Sequence, residues 1–271
     1  MATGFDPHVA SEWIEKLRAG KRERMRDDLA VEEPLEIRVD GEPIAVTMRT
    51  PGEDEELAAG FLAGEGLIAD AGDIVEVGPT RDFAANVVEV RTRSGLRRDP
   101  KEERSFYLTS SCGVCGKGAL EFVRQAAPDG APQERPALEQ QIVLAAPDAA
   151  RKEQHAFERT GGLHATALFE AGGELLVVRE DVGRHNAMDK AIGALLLGGR
   201  FPLPGVLACV SGRASFELVQ KASLAHLVGI LAVGPPSTLA VDLARERGML
   251  LCGFVRGTSL NVYAGSELLA E

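Results

Sequence analysis

Residues 205–255 read GVLACVSGRASFELVQKASLAHLVGILAVGPPSTLAVDLARERGMLLCGFV, and the fold class follows from this stretch. Three apolar runs, GVLACV, GILAV and MLLCGFV, read as buried strands. Between them, ASFELVQKASLAHL and STLAVDLARER have the spacing of helices. Strands alternating with helices imply parallel pairing with helices covering the sheet. Just upstream, HATALFE and ELLVVRED form a strand pair joined through Ala171-Gly172-Gly173. A helix from about Ala187 places Met188, Ala191, Ile192, Leu195 and Leu196 on one face.

Toward the N-terminus the pattern changes. PLEIRVDGEPIAVTM alternates around Asp40-Gly41, a strong hairpin signal. PGEDEELAAGFLAGEGLI follows as one amphipathic helix, with Leu57, Phe61, Leu62 and Leu67 at helical spacing. DIVEVG and NVVEVRT read as two further strands. Residues 11–29 are highly charged with sparse apolar positions, which suits an exposed helix or a solvated arm. The expected division is a charged helix or arm over 1–30, a small α+β domain over 31–125 ending in a Cys-x-x-Cys loop, a connection over 126–145, and an α/β domain over 146–271.

The chain has 271 residues, enough to bury a substantial core. Its 30 basic and 41 acidic side chains leave a net charge of -11, which opposes general attraction to nucleic acid or acidic membranes. Any anionic ligand must be held by a local basic pocket. No apolar run approaches a membrane span and the first residues do not resemble a signal peptide, so a soluble cytoplasmic protein is expected. Of four cysteines, Cys209 and Cys252 lie in strand-like apolar runs; Cys112 and Cys115 look chemically available.

That pair lies in YLTSSCGVCGKGALEFV, between a β-prone run and a short helical run. A nearby helix N-terminus and Lys117 would both favour the thiolate, the form that attacks a donor persulfide. Structural zinc is the first alternative, but no second close pair supplies the remaining ligands. Thioredoxin-like exchange shares the spacing but lacks the surrounding pattern. Zinc deamination needs His-x-Glu before the cysteines, whereas His164 follows them and lacks the glutamate. No bound metal is expected.

Four Gly-rich segments, EDVGRHNAMDK, VSGRASFELVQK, VGPPST and FVRGTSLN, fall at strand ends or turns. In an open parallel sheet such ends gather into a crevice whose free amides favour phosphate. Arg184, His185, Arg213 and Arg256 could supplement those amides, and a nucleotide-like ligand is expected there. Arg184 and Arg213 have a simpler alternative, pairing with Glu180 and Glu217. Asn186 and Ser237 are candidate helix caps, and Asp181 and Asp189 suit capping or salt bridges better than a metal site.

Taken in order, TSSCGVCGK, TGGLHA, EDVGRHNAMDK, SGRASFELVQKA and GFVRGTSLNVY resemble the formate dehydrogenase accessory sulfurtransferase family. EEPLEIRVDGEPIAVTMRTPGEDEELAAGFLAGEGLI looks like its N-terminal region. The resemblance implies a C-terminal cytidine-deaminase-like α/β/α domain without deaminase chemistry and a smaller N-terminal α+β domain. It implies a cysteine desulfurase that loads Cys112 with persulfide sulfur, assistance from Cys115, and delivery to the bis(molybdopterin guanine dinucleotide) cofactor of formate dehydrogenase. It further implies cofactor contacts from Phe254, Val255, Arg256, Gly257, Thr258 and Ser259, where Ser259 stands at a position at which the family often has arginine. GDP is the expected partial mimic of the transient cofactor, and a homodimer is consistent with the family. The alternative function is a non-enzymatic cofactor-binding chaperone whose cysteines shape a loop or bind zinc.

Overall fold

A computed structural model of the chain describes residues 6–80, 86–97 and 135–270. The first elements are β1 (Val9–Arg18) and β2 (Lys21–Ala30), an antiparallel ribbon turned at Ala19-Gly20. Both turn residues have positive φ, 48° and 79°, as a tight hairpin requires. Of the two alternatives expected within residues 1–30, a charged helix or an arm, the helix is corrected: residues 9–30 are a pair of strands. The ribbon buries little on either face, so its strands need no apolar alternation and the sequence shows none.

β3 (Glu33–Val39) and β4 (Glu42–Arg49) form the hairpin expected around Asp40-Gly41. After them come α1 (Asp54–Gly64), β5 (Ile74–Pro79) and β6 (Val87–Thr92), giving a four-stranded sheet in the order β4-β3-β6-β5. Next are β7 (Leu138–Glu139), α2 (Gln140–Lys152) and α3 (His155–Thr160). The expected connection over 126–145 is therefore corrected at its end, because residues 140–145 already belong to α2. The buried stripe of α2 is only Val143, Ala146 and Ala150, too sparse and small to stand out among its polar neighbours.

The C-terminal part alternates as expected: β8 (His164–Glu170), β9 (Leu175–Asp181), α4 (Arg184–Leu197), β10 (Val206–Val210), α5 (Phe216–Leu224), β11 (Gly229–Ala232), α6 (Thr238–Glu246), β12 (Leu250–Arg256) and β13 (Ser259–Ala264). These strands make one sheet in the order β13-β12-β11-β10-β8-β9. Only β10, β11 and β12 run parallel; β8 joins β10, and β13 joins β12, in antiparallel fashion. The pairing is thus mixed rather than wholly parallel. A short strand β14 (Leu269–Ala270) closes the chain against β7.

Side-chain alternation divides the sheet between two cores. Val206, Ala208 and Val210 face the cluster that includes Met188 and Ile192 of α4 and Leu218 of α5. Leu207 and Cys209 face the opposite cluster with Val143, Ala146 and Ala150 of α2. Helices therefore cover both faces, an α/β/α arrangement.

The N-terminal part adds to the first core, which also holds Leu35, Ile37, Leu57, Leu62, Val88 and Val90. Its helix α1 meets α4 backbone to backbone. A Cβ placed on Gly60 would lie 1.8 Å from the Asp189 carbonyl oxygen, and one on Gly193 would lie 1.8 Å from that of Glu56. Only glycine at both positions allows this approach.

Candidate functional site

The segment EDVGRHNAMDK turns out to fasten the two parts together. Asp181, fully buried, accepts from Thr50 N at 3.0 Å, Gly183 N at 2.8 Å and Asn186 Nδ2 at 3.1 Å. Lys190, also fully buried, lies 3.0 Å from Asp181 and donates to Thr50 O at 2.8 Å. Asn186 is not the helix cap expected: its amide donates to Met48 O and its Oδ1 accepts from Thr47. One turn further on, Asp189 pairs with Lys221 at 3.0 Å, and Lys221 reaches Glu65 at 2.9 Å. Burial pushes the Asp189 carboxyl up to about 7 despite that lysine. Buried charges must be paired, which explains why this motif carries both signs.

This fastening sets the start of α4, where Arg184 and His185 project toward the ends of the sheet strands. Arg184 has a buried Nε without a hydrogen-bond partner, and among the described residues it makes neither of the ion pairs considered from sequence. Glu180 instead accepts from Ala156 N and Phe157 N at the start of α3. Glu217 lies 3.8 Å from His185, whose Nε2 is 3.2 Å from Ser215 Oγ. Burial, with Lys221 and Arg184 nearby, pushes His185 down to about 4, so its ring is neutral near pH 7. It can exchange hydrogen bonds there but supplies no charge. Arg213 is exposed in the loop after β10, and Ser237 caps α6 as expected by accepting from Ala240 N.

At the same edge, a cavity of about 540 Å³ opens where β10, β11 and β12 end. Cys209, Ser211, Val233, Val255, Arg256 and Gly257 line it from the sheet side. A β-bulge in β12 gives it this wall: Phe254 adopts φ 54°, and the register against β13 shifts between Gly253 and Arg256. Arg256 donates to Val233 O over a long 3.5 Å, leaving most of its donors unused. Thr258 and Ser259 are exposed in the following turn, and Ser259 Oγ donates to Arg256 O at 3.4 Å.

The rest of the lining includes residues that sequence reasoning did not assign to a site: Arg151, Gln154 and Phe157 from α2 to α3, and His164 at the start of β8. Arg151 stacks over the Phe157 ring at 4.3 Å. Burial and Arg184 lower the His164 pKa from its ordinary value. The signal for His164 was its place at a strand start after Gly161-Gly162; Arg151 had none, because its helix is not legible in the sequence.

Cys112 and Cys115 lie outside the described residues. Cys209 and Cys252 are both buried and free, and burial pushes each thiol up to about 12. Neither is a nucleophile near neutral pH. Among the described residues there is no group of three or more His, Cys, Asp or Glu placed to hold a metal ion. No helix among them is long and apolar enough to cross a membrane.

The sequence profile of the FdhD/NarQ family matches residues 30–270. The chain belongs to the FdhD/NarQ family. A relative from Streptomyces avermitilis, named sulfur carrier protein FdhD, is 50% identical over 94% of this chain and 93% of its own length. One of the same name from Mycobacterium tuberculosis is 48% identical over 89% and 91%. A crystal structure described as that of a formate dehydrogenase accessory protein from Desulfotalea psychrophila superposes with a TM-score of 0.78 at 26% identity, covering 97% of this chain and all of that one. The FdhD/NarQ resemblance read from the motifs is thereby established, as is the α/β architecture. The ribbon β1–β2 precedes the matched FdhD/NarQ span, which begins at its last residue.

Proposed function

We propose that this chain is a sulfurtransferase that takes persulfide sulfur from a cysteine desulfurase and delivers it to the bis(molybdopterin guanine dinucleotide) cofactor needed by formate dehydrogenase. The observation that supports the reading is the cavity at the strand ends, lined by Arg151 and by Arg256, whose donors are largely unused, on a chain of net charge -11. An anionic nucleotide is the ligand class that such donors suit. The donor set fits the pyrophosphates of the cofactor, which is cargo here. Relatives about 50% identical carry the name sulfur carrier protein, which supports the same role.

Cys112 is the acceptor in this scheme. Its thiolate attacks the outer sulfur of the desulfurase persulfide, the sulfur–sulfur bond breaks, and the desulfurase leaves as a thiolate. Attack by Cys115 on the inner sulfur of the Cys112 persulfide would then expel the outer sulfur as hydrosulfide and leave a Cys112–Cys115 disulfide. The reaction belongs to the cytoplasm, where such a disulfide is reduced again. A homodimer is part of the proposal.

The test has two arms. After incubation with cysteine and a desulfurase, mass spectrometry with peptide mapping should place added sulfur on Cys112; Cys112→Ala should take up none, while Cys115→Ala should load and fail to release. Sulfur on neither residue of an active protein defeats the covalent scheme. Calorimetry should show GDP binding that weakens in Arg256→Ala by on the order of 1.5–3 kcal/mol, the worth of a hydrogen bond to a charged group. Equal GDP affinity in that variant removes Arg256 from the site.

A further inference from the structure

The ribbon β1–β2 is exposed on both faces, and its side chains have a definite arrangement. The register places Trp13 opposite Arg26, Glu15 opposite Arg24 and Leu17 opposite Arg22, so Trp13, Leu17 and three arginines share one face. Trp13 is 57% exposed and Leu17 68%. The Arg24 and Arg26 guanidinium carbons stand 5.0 and 5.6 Å from the Trp13 ring centroid, which holds the indole upright in water. Toward the turn, the six basic side chains Lys16, Arg18, Lys21, Arg22, Arg24 and Arg26 outnumber the acidic Glu15 and Glu23, of which Glu15 lies 3.6 Å from Arg22, although the whole chain is strongly acidic.

An isolated two-stranded ribbon is marginal in water, so its base must be tied down. Arg159 of α3 does this, reaching Asp6 at 2.6 Å and Asp28 at 2.8 Å. The attachment is at the rim of the cavity: Phe157 and Gly162 line it, and a Cβ on Gly162 would lie 3.5 Å from that of Ala30. The ribbon is therefore anchored beside the cavity, with Trp13 at mid-strand and the basic residues running on to the turn, the end farthest from the anchor.

We propose that this ribbon is a docking arm for the protein that receives the cargo, and that it binds an acidic surface with an apolar slot for Trp13. The inference rests on the cavity holding the cofactor, since only then does an arm at its mouth bring the receiver to the cargo. Exposed tryptophan framed by arginine is the composition of interface hot spots. Net positive charge toward the tip steers an acidic partner and fixes its orientation. Glu12, Asp27 and Asp28 near the base, with the acidic body behind them, oppose a polyanion lying along the ribbon.

The experiment uses the full chain and purified, cofactor-free formate dehydrogenase from the same cells, with affinity measured by surface immobilisation at several salt concentrations. Trp13→Ala and the double change Arg24→Glu/Arg26→Glu should each weaken binding at least tenfold, and wild-type binding should fall with salt. Leu17→Ala, which leaves the Trp13 stacking untouched, should weaken it several-fold. GDP affinity, measured in parallel, should not move in any variant. Equal affinity for the enzyme in Trp13→Ala and in the charge reversal overturns the docking arm, as does binding to anionic vesicles or duplex DNA with no binding to the enzyme. Wild type that binds the enzyme through the ribbon but not GDP would keep the arm as a docking surface and remove the cavity reading. GDP binding without enzyme binding would do the reverse.

Discussion

Replacing Lys190 with methionine should destabilise the protein more than almost any other single change of similar volume. The ammonium group is fully buried, 3.0 Å from Asp181, and donates to Thr50 O at 2.8 Å. Methionine fills much of the space but leaves Asp181 as a buried carboxylate without its cation. Breaking one side of such a pair costs about 3–5 kcal/mol. For a chain of this size that corresponds to a fall in Tm on the order of 6–20 °C. The loss should be partly repaired by making Asp181 neutral as well: in Asp181→Asn/Lys190→Met no fully buried charge is left without its partner, while the partly exposed Glu53, 3.6 Å from Lys190, keeps His8 at 3.5 Å, and the coupling between the two sites should be on the order of 2 kcal/mol. Urea titration of the wild type, both single variants and the double variant gives all four terms. A cost below about 1 kcal/mol, or strict additivity in the double variant, would refute the view that this ion pair clamps the two parts of the molecule.

Gly60→Ala should lower stability by at least the 1–3 kcal/mol typical of overpacking, since the new Cβ would sit 1.8 Å from the Asp189 carbonyl oxygen; a denaturation midpoint equal to wild type would contradict the close crossing of α1 and α4. His185 is neutral in the folded chain down to about 4, whereas in the unfolded chain it takes a proton near 6.5, so acid favours unfolding. Its stabilising contribution should be present above pH 6.5 and be lost as pH falls toward 4, by at most ~1.4 kcal/mol per pH unit. His185→Gln should flatten that part of the stability–pH curve, and an unchanged slope would count against its burial.

Much of the C-terminal architecture was legible because its code is local. Runs such as GVLACV and GILAV are apolar on both sides since helices cover both faces of the sheet, and β10 and β11 bury every residue. Asp40-Gly41 fixed a hairpin because the turn needs positive φ at both residues. The N-terminal ribbon escaped because apolar alternation is a signature of burial, and a strand that buries almost nothing does not write it. The helix α2 escaped for a related reason, a contact stripe made of small residues.

The candidate site divides along the same line. Sequence by itself determined the residue types: the Cys-x-x-Cys pair, the recurrent arginines near strand ends, and the FdhD/NarQ motifs. Tertiary structure decided what those residues do. Within EDVGRHNAMDK it turned Asp181, Asn186, Asp189 and Lys190 inward as a buried clasp and left Arg184 with a donor to spare. It also brought His164 and Arg151, far apart from Arg256 in the chain, into the lining of one cavity. Charge and hydrogen-bonding capacity belong to the side chain and can be read in order along a sequence. Whether a buried charge meets its partner or is left for a ligand depends on distances between residues more than a hundred positions apart, as from Thr50 to Asp181, and only the packed chain sets those.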